Sequence, residues 1–517
     1  MDERVAAAWR LLPDYLSQHV LLSAASLGLG LLISLPLMVA AVRSERLRWP
    51  VLAFASLIQT IPGLALLALF YPLLLALSTL SQRAFGQSFS ALGFLPSLLA
   101  LTLYSMLPII RNGVTGVLNL DRAIIEAARG VGMTDRERLL RIELPLAAPM
   151  LMAGVRTAAV WVIGAATLST PVGQTSLGNY IFTGLQLENW VFVLFGCVAA
   201  AALALLTDQM LALIEAGTVR RNRTRVLAGL GLLLAGIALA AWPHAQRESA
   251  GYVIGAKSFS EQYILAALIG GEIEALGGKV QRRAGLGSAV AFRALLNDEL
   301  DVYVDYSGTV WANYMGRKDT PPRAQLLDEL SRWLQDRHGV RMLGTLGFEN
   351  AYALAMRREQ AQALGIDSIR DLAEHAPSLR IGGDFEFFGR PEWKALRENY
   401  GLRFAQQREY QSTFMYRAIA SGDVEVISAF SSDGRILAGD LQVLTDPLGV
   451  IPPYDALILV SRARAQDPLL ERALSPLVDA IDVESMREAN LMVDRDADKR
   501  SPAQAARWLS GTLGISE

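Results

Sequence analysis

Residues 126–145 read Glu126-Ala127-Ala128-Arg129-Gly130-Val131-Gly132-Met133-Thr134-Asp135-Arg136-Glu137-Arg138-Leu139-Leu140-Arg141-Ile142-Glu143-Leu144-Pro145. The alanine-rich start, Ile124–Arg129, favours a short surface helix. Gly132 then permits a sharp turn, so the stretch predicts a helix-turn-helix knob with Glu126 available for charge contacts. Six arginines lie between Arg111 and Arg141. On either side the sequence becomes apolar and almost free of charge.

Those flanks contain runs long enough to cross a bilayer. Leu21–Val42, Trp49–Gln82, Ser90–Ile110, about Thr157–Val172, Trp190–Thr207 and Val226–Trp242 are the candidates. Arginine placement orients them under the positive-inside bias. Arg43–Arg48 holds three arginines, Arg111–Arg141 six and Gly217–Arg225 four, against one in Gln82–Phe89 and none in Gly173–Asn189. This alternation predicts an outer N-terminus and an inner 126–145 knob. Parity argues that Trp49–Gln82, with its Pro62-Gly63 break, is one long or kinked span plus a re-entrant or interfacial portion. Val226–Trp242 also has the look of an internal signal peptide; retention as an anchor keeps both halves of the chain together.

Composition changes sharply near residue 250. The first 250 residues hold 18 Arg, no Lys and 13 acidic residues, whereas the remaining 267 hold 30 basic and 37 acidic ones. Such a step marks a domain boundary. Neither half has the basic excess of a nucleic-acid binder. Cys197 is the only cysteine and the four histidines are scattered, so no metal site or cofactor is expected, and no nucleophile–base set suggests an enzyme. No phosphate-binding G-x-x-x-x-G-K-[ST] loop occurs. Arg156 and Asp208, near span ends, are expected to be structural.

The spacing Glu126-Ala127-Ala128, three residues, Gly132, nine residues, Ile142-x-Leu144-Pro145 resembles the EAA loop of ABC-importer permeases. That resemblance implies that Glu126, Ala127, Ala128, Gly132 and Pro145 couple the chain to a separate ATPase, in two copies on a permease homodimer.

Beyond residue 250, strand signals at Tyr252–Ala256, Leu300–Val304, Tyr352–Met356, Arg380–Gly383 and Val424–Ala429 alternate with helical runs. A serine near residue 260 is positioned to cap a helix Glu261–Leu276. The alternation predicts α/β layers with mostly parallel sheets, and about 265 residues suffice for two lobes around a cleft. The expected organisation is residues 1–219, an all-α transmembrane domain of five spans; 220–250, a basic linker with a sixth span; and 251–517, a two-lobed binding domain.

Lys257-Ser-Phe-Ser-Glu-Gln, Asp301-Val-Tyr-Val-Asp-Tyr306-Ser-Gly-Thr309, Asn350-Ala-Tyr352, Glu386-Phe-Phe-Gly-Arg390, Ala429-Phe430-Ser-Ser-Asp433-Gly-Arg435 and Pro452-Pro453-Tyr454-Asp455 resemble, in order, motifs of quaternary-ammonium binding proteins. These are the glycine betaine/choline/carnitine type of ABC importer. The resemblance implies an aromatic cage of Tyr306, Tyr352, Phe430 and Tyr454, and a carboxylate clamp of Lys257, Thr309 and Arg390. The chemistry agrees: a trimethylammonium has no N–H to donate, so ring faces select it, and an arginine grips a carboxylate bidentately. Position 430 usually carries tyrosine in that family. Phe430 keeps the π face and leaves the rest of the solute open, ergothioneine and other amino-acid derivatives included. Asp433 and Arg435 are expected at a hinge or between lobes. A multi-pass protein of the cytoplasmic (inner) membrane, with its binding domain on the extracytoplasmic side, is thus expected; a membrane-anchored sensor without transport is the rival.

Overall fold

The computed structural model describes residues 3–85, 89, 93–187, 189–245, 251–317, 319, 321–384, 387–410, 412–495 and 498–515. The expected boundary at residue 250, the last five residues of the expected 220–250 linker and Glu386 of one quoted motif lie outside the described residues. Two compact units are present, a helical one through Ala245 and an α/β one from Gly251.

In the helical unit α1 (Glu3–Arg43) is followed by α2 (Glu45–Thr60) and α3 (Gly63–Phe85). The run Trp49–Gln82, expected as one span plus a re-entrant or interfacial portion, is thus divided between two helices. Pro62 forces the preceding residue out of the helical region, and Ile61 is extended at φ −76°, ψ 126°. Of the two, α3 is long and apolar enough to span. Next come α4 (Phe94–Leu118), α5 (Arg122–Gly130), α6 (Asp135–Arg138), α7 (Leu144–Ala166), α8 (Gly178–Gln186), α9 (Trp190–Val219) and α10 (Arg223–Ala245). The span expected over Thr157–Val172 is the second half of a helical run, Asp135–Val172. Pro145 stands at the start of α7, directly after a wider π-helical turn, Leu139–Glu143, that lies where a proline interrupts the α-helical hydrogen-bond ladder.

Six helices in all are long and apolar enough to cross a membrane among the described residues. α4 is the centre of the unit, packed on α1 and α7. Arg156 of α7 donates to Asp208 at 2.8 Å on both oxygens and to Glu215 at 2.8 Å, tying α7 to α9. The expected structural role of Arg156 and Asp208 is thus visible as an ion pair. By contrast, α9 and α10 expose Leu194, Val198, Leu205, Leu227, Leu234 and Leu239. Helices apolar all round and left uncovered are solvated by lipid.

The α/β unit contains β1 (Tyr252–Lys257), α11 (Ser260–Ala275), β2 (Val280–Leu286), β3 (Val302–Tyr306), β4 (Arg341–Glu349), β5 (Tyr352–Arg357), β6 (Arg380–Asp384), β7 (Gln406–Tyr410), β8 (Val426–Phe430), β9 (Leu441–Val443) and β10 (Asp455–Val460). They form two five-stranded sheets, ordered β2-β1-β3-β10-β4 and β7-β6-β8-β5-β9. Each sheet forms one lobe. The sheets are mixed rather than mostly parallel. β1 is parallel to β2 and β3, and β6 to β7 and β8. β10 runs antiparallel to β3 and β4, and β5 to β8 and β9. The chain changes lobe between β4 and β5 and again between β9 and β10, and each crossing strand enters its new sheet reversed.

The expected serine cap does not form. Phe259 is the N-cap of α11, without a side-chain cap, and the Ser260 hydroxyl donates to Asp494 instead.

Candidate functional site

Strands β1, β3, β6 and β8 end at Lys257, Tyr306, Asp384 and Phe430, and all four residues line one cavity of about 470 Å³. Carboxyl ends of parallel strands are where α/β sheets expose their ligand sites. All seven residues expected to form the cage and clamp line this cavity.

Tyr352 and Phe430 face each other across the β5–β8 ladder, with ring centroids 4.9 Å apart and tilted by 42°. Tyr454 meets Tyr352 edge-on at 6.2 Å and 88°, while Phe387 backs Tyr352 at 5.2 Å. Tyr306 stacks on Phe259 at 6.2 Å. Gly308 makes room for this arrangement, since a Cβ there would come within 2.6 Å of the Tyr454 ring.

The expected clamp is less simple. Lys257 is buried against Asp305, its ammonium 5.1 Å from the Tyr306 ring centroid. Its charge is therefore already paired. Arg390 donates to the Tyr454 hydroxyl at 2.6 Å and to Glu392 at 3.0 and 3.3 Å. Its guanidinium also lies 5.0 Å from the Tyr352 centroid and 5.8 Å from that of Tyr454. Burial works against the Arg390 charge, but Tyr454, Tyr352 and Glu392 outweigh it and hold the group above its ordinary value. Thus Arg390 occupies the corner that the rings frame. Thr309 lines the cavity from the short turn after β3.

Asp433 and Arg435 pair bidentately at 2.9 and 2.6 Å, with Arg435 stacked 4.2 Å from the Tyr416 centroid. Both line the cavity. Sequence reasoning passed over Glu261, Asn350, Asp384, Ser432, Asn490 and Asp494, which line it as well. Glu261 and Asn350 lie inside quoted motifs, a signal that was available; Asn490 has none. Burial pushes Asp494 up to about 6, partly offset by Arg435.

On the helical unit, α5 spans Arg122–Gly130, and the Asp121 side chain caps it by accepting from the Ala123 N–H at 2.9 Å. Gly132 has φ +79°. Glu126, Ala127, Gly132 and Pro145 are exposed, whereas Ala128 is buried.

A bundle of apolar helices followed by a two-lobed cleft domain defines a membrane permease joined to a solute-binding domain. The chain belongs to the ABC-type import systems. Residues 251–510 match the family described as the substrate binding domain of the ABC-type glycine betaine transport system, and residues 32–220 match the inner membrane component of binding-protein-dependent transport systems. The ergothioneine transport permease/ergothioneine binding protein of Helicobacter pylori strain G27 is 28% identical over 496 residues, covering 92% of this chain and 86% of its own. The glycine betaine/carnitine/choline transport system permease protein of Bacillus subtilis strain 168 is 37% identical over 198 residues, covering 38% of this chain and 84% of its own. A crystal structure of a glycine betaine/carnitine/choline ABC transporter aligns with 51% of this chain and 99% of its own, at 26% identity and a TM-score of 0.46.

Proposed function

We propose that the chain captures a trimethylammonium solute in the cavity of its α/β unit and passes it through its own helical unit, driven by two copies of a separate ABC ATPase. The observation that carries this reading is the cluster of Tyr352, Phe430 and Tyr454, with Tyr306 on the same cavity wall. Desolvated aromatic faces contribute about 0.5–2 kcal/mol each toward a cation, so three or four rings supply about 1.5–8 kcal/mol of the roughly 8 kcal/mol that micromolar binding requires, and the carboxylate contacts supply the rest. In this reading Arg390 swings from Glu392 and the Tyr454 hydroxyl to grip the carboxylate of a betaine. The lobes close over the solute as a hinge motion.

Loop arginines support an outer α/β unit and an inner 126–145 knob, in the cytoplasmic membrane. The knob serves as the ATPase contact of a permease homodimer. Domain limits at residues 219 and 250 complete the proposal. Ergothioneine heads the list of solutes, because a relative that is matched over 92% of this chain and is named as both permease and binding protein bears that name; glycine betaine, choline and carnitine follow.

The test is uptake into proteoliposomes containing the full chain and its cognate ATPase. ATP-dependent accumulation of at least one trimethylammonium solute is expected, lost in the Glu126→Ala/Gly132→Val double variant while binding persists. Uptake unaffected by that variant would favour a different coupling surface, and binding without any uptake would favour a sensor.

A further inference from the structure

Glu261, at the start of α11, is 2% exposed and lines the cavity. Its Oε1 accepts from the Tyr306 hydroxyl at 2.5 Å and from Asn350 Nδ2 at 3.1 Å. Its Oε2 accepts from the Ser432 hydroxyl at 2.6 Å and from Asn490 Nδ2 at 3.2 Å. Tyr306 and Asn490 come from the lobe of β1, Ser432 follows β8 in the other lobe, and Asn350 sits in the crossover between them. None of these four donors carries a positive charge.

The cationic groups on the cavity wall already have acidic partners. Lys257 pairs with Asp305, Arg390 with Glu392 and Arg435 with Asp433. A buried carboxylate held by neutral donors alone is a charge the fold leaves uncompensated, and such an arrangement is costly unless something supplies the counter-charge. The Tyr306 hydroxyl bonds it directly to a ring of the cavity wall, and donation to a carboxylate polarises that phenol.

We infer that Glu261 is a specificity-determining residue whose carboxylate supplies the counter-charge for a cationic head held by the rings, and does so when both lobes deliver their donors to it. The inference rests on the trimethylammonium reading and sharpens it: the cavity demands positive charge, not merely a bulky apolar head. It also explains why the donors are split between lobes. A solute that balances Glu261 strengthens a knot that only the assembled cleft can make.

On the elements packed against α11 and on the segment that carries Ser432, the charged or titratable groups that line the cavity are Lys257 from β1, Tyr306 from β3, Asp494 from the helix Val483–Asp494, and Asp433 and Arg435 beyond β8; Asp305 of β3 pairs with Lys257. The other elements packed on α11, namely β2 and the helices Pro468–Leu474 and Pro502–Leu513, add no charged residue to the cavity wall. Burial raises Glu261 above the usual carboxylate range against the pull of its four donors. Cation binding favours the ionised form, so affinity should fall as pH drops through its titration, by about tenfold per unit below it.

The experiment uses the full chain in lipid nanodiscs. Dissociation constants are measured for ergothioneine, glycine betaine and choline, then for the tert-butyl analogue of the tightest binder, in which carbon replaces the ammonium nitrogen. Wild type should prefer the ammonium, and Glu261→Gln should cut that preference by at least about tenfold. A general loss of packing would weaken both ligands alike and leave the ratio unchanged, which overturns the inference. Should Glu261→Gln fail to fold, the pH profile of the Asp494→Asn variant decides: affinity that weakens as pH falls supports the role of Glu261, and affinity that stays flat down to the onset of acid unfolding overturns it. Failure of wild type to bind any trimethylammonium compound would instead refute the proposed function.

Discussion

Tyr352 is the ring on which the cavity converges, touching Phe430, Phe387 and Tyr454 and lying beneath the Arg390 guanidinium. Tyr352→Ala should therefore weaken binding of a trimethylammonium solute by about 1–3 kcal/mol, as equilibrium titration would show. Phe430→Tyr keeps the π face and should change affinity only a few-fold. Asp494 makes a pH prediction. Its carboxyl is held above its usual value, to about 6, chiefly by burial. The protonated form is thus the one the fold favours, and the stability it brings is full at pH below the unfolded value and lost as pH rises through 6. Asp494→Asn should raise the melting temperature at neutral pH and flatten the profile between about pH 4 and 6. The rings were legible in the sequence because ordered motifs mark their positions. The ion pairs were not: Asp305 and Glu392 stand in or beside those motifs, yet nothing in their spacing says that Lys257 and Arg390 would spend their charges on them.

Among the elements, the 126–145 knob was the most legible, since alanine propensity and a glycine turn are local. Gly132 at φ +79° is in the left-handed region, where a β-branched residue is strained by about 1–2 kcal/mol. Gly132→Val should leave solute binding intact and reduce ATP-driven uptake, a split that paired titration and transport assays read directly. The α7–α9 ion pair gives a second expectation: Arg156→Met strands Asp208 and Glu215 together and should lower the thermal stability of the chain in detergent, with Asp208→Asn partly restoring it. Sheet direction was not legible, because whether β5 and β10 run with or against their neighbours depends on the lobe crossings rather than on any strand's own residues. Ser260 illustrates the same limit, since its capping propensity lost to Asp494, more than 200 positions away.

At the scale of the whole molecule, hydropathy and the change in charge mark a helical membrane unit and a separate second unit, and alternating strand and helix signals mark that second unit as α/β. What they withheld was how two lobes share one buried acid and one ring cluster. That sharing defines the central claim, that this import-system chain takes a solute by its quaternary ammonium. The most direct test is equilibrium titration of the full chain in nanodiscs with ergothioneine, glycine betaine, choline, carnitine and, as a control without a quaternary nitrogen, proline. At least one trimethylammonium solute should bind with a dissociation constant of about micromolar or tighter, and Tyr352→Ala should weaken it. Binding of proline in preference to every quaternary ammonium would contradict the account.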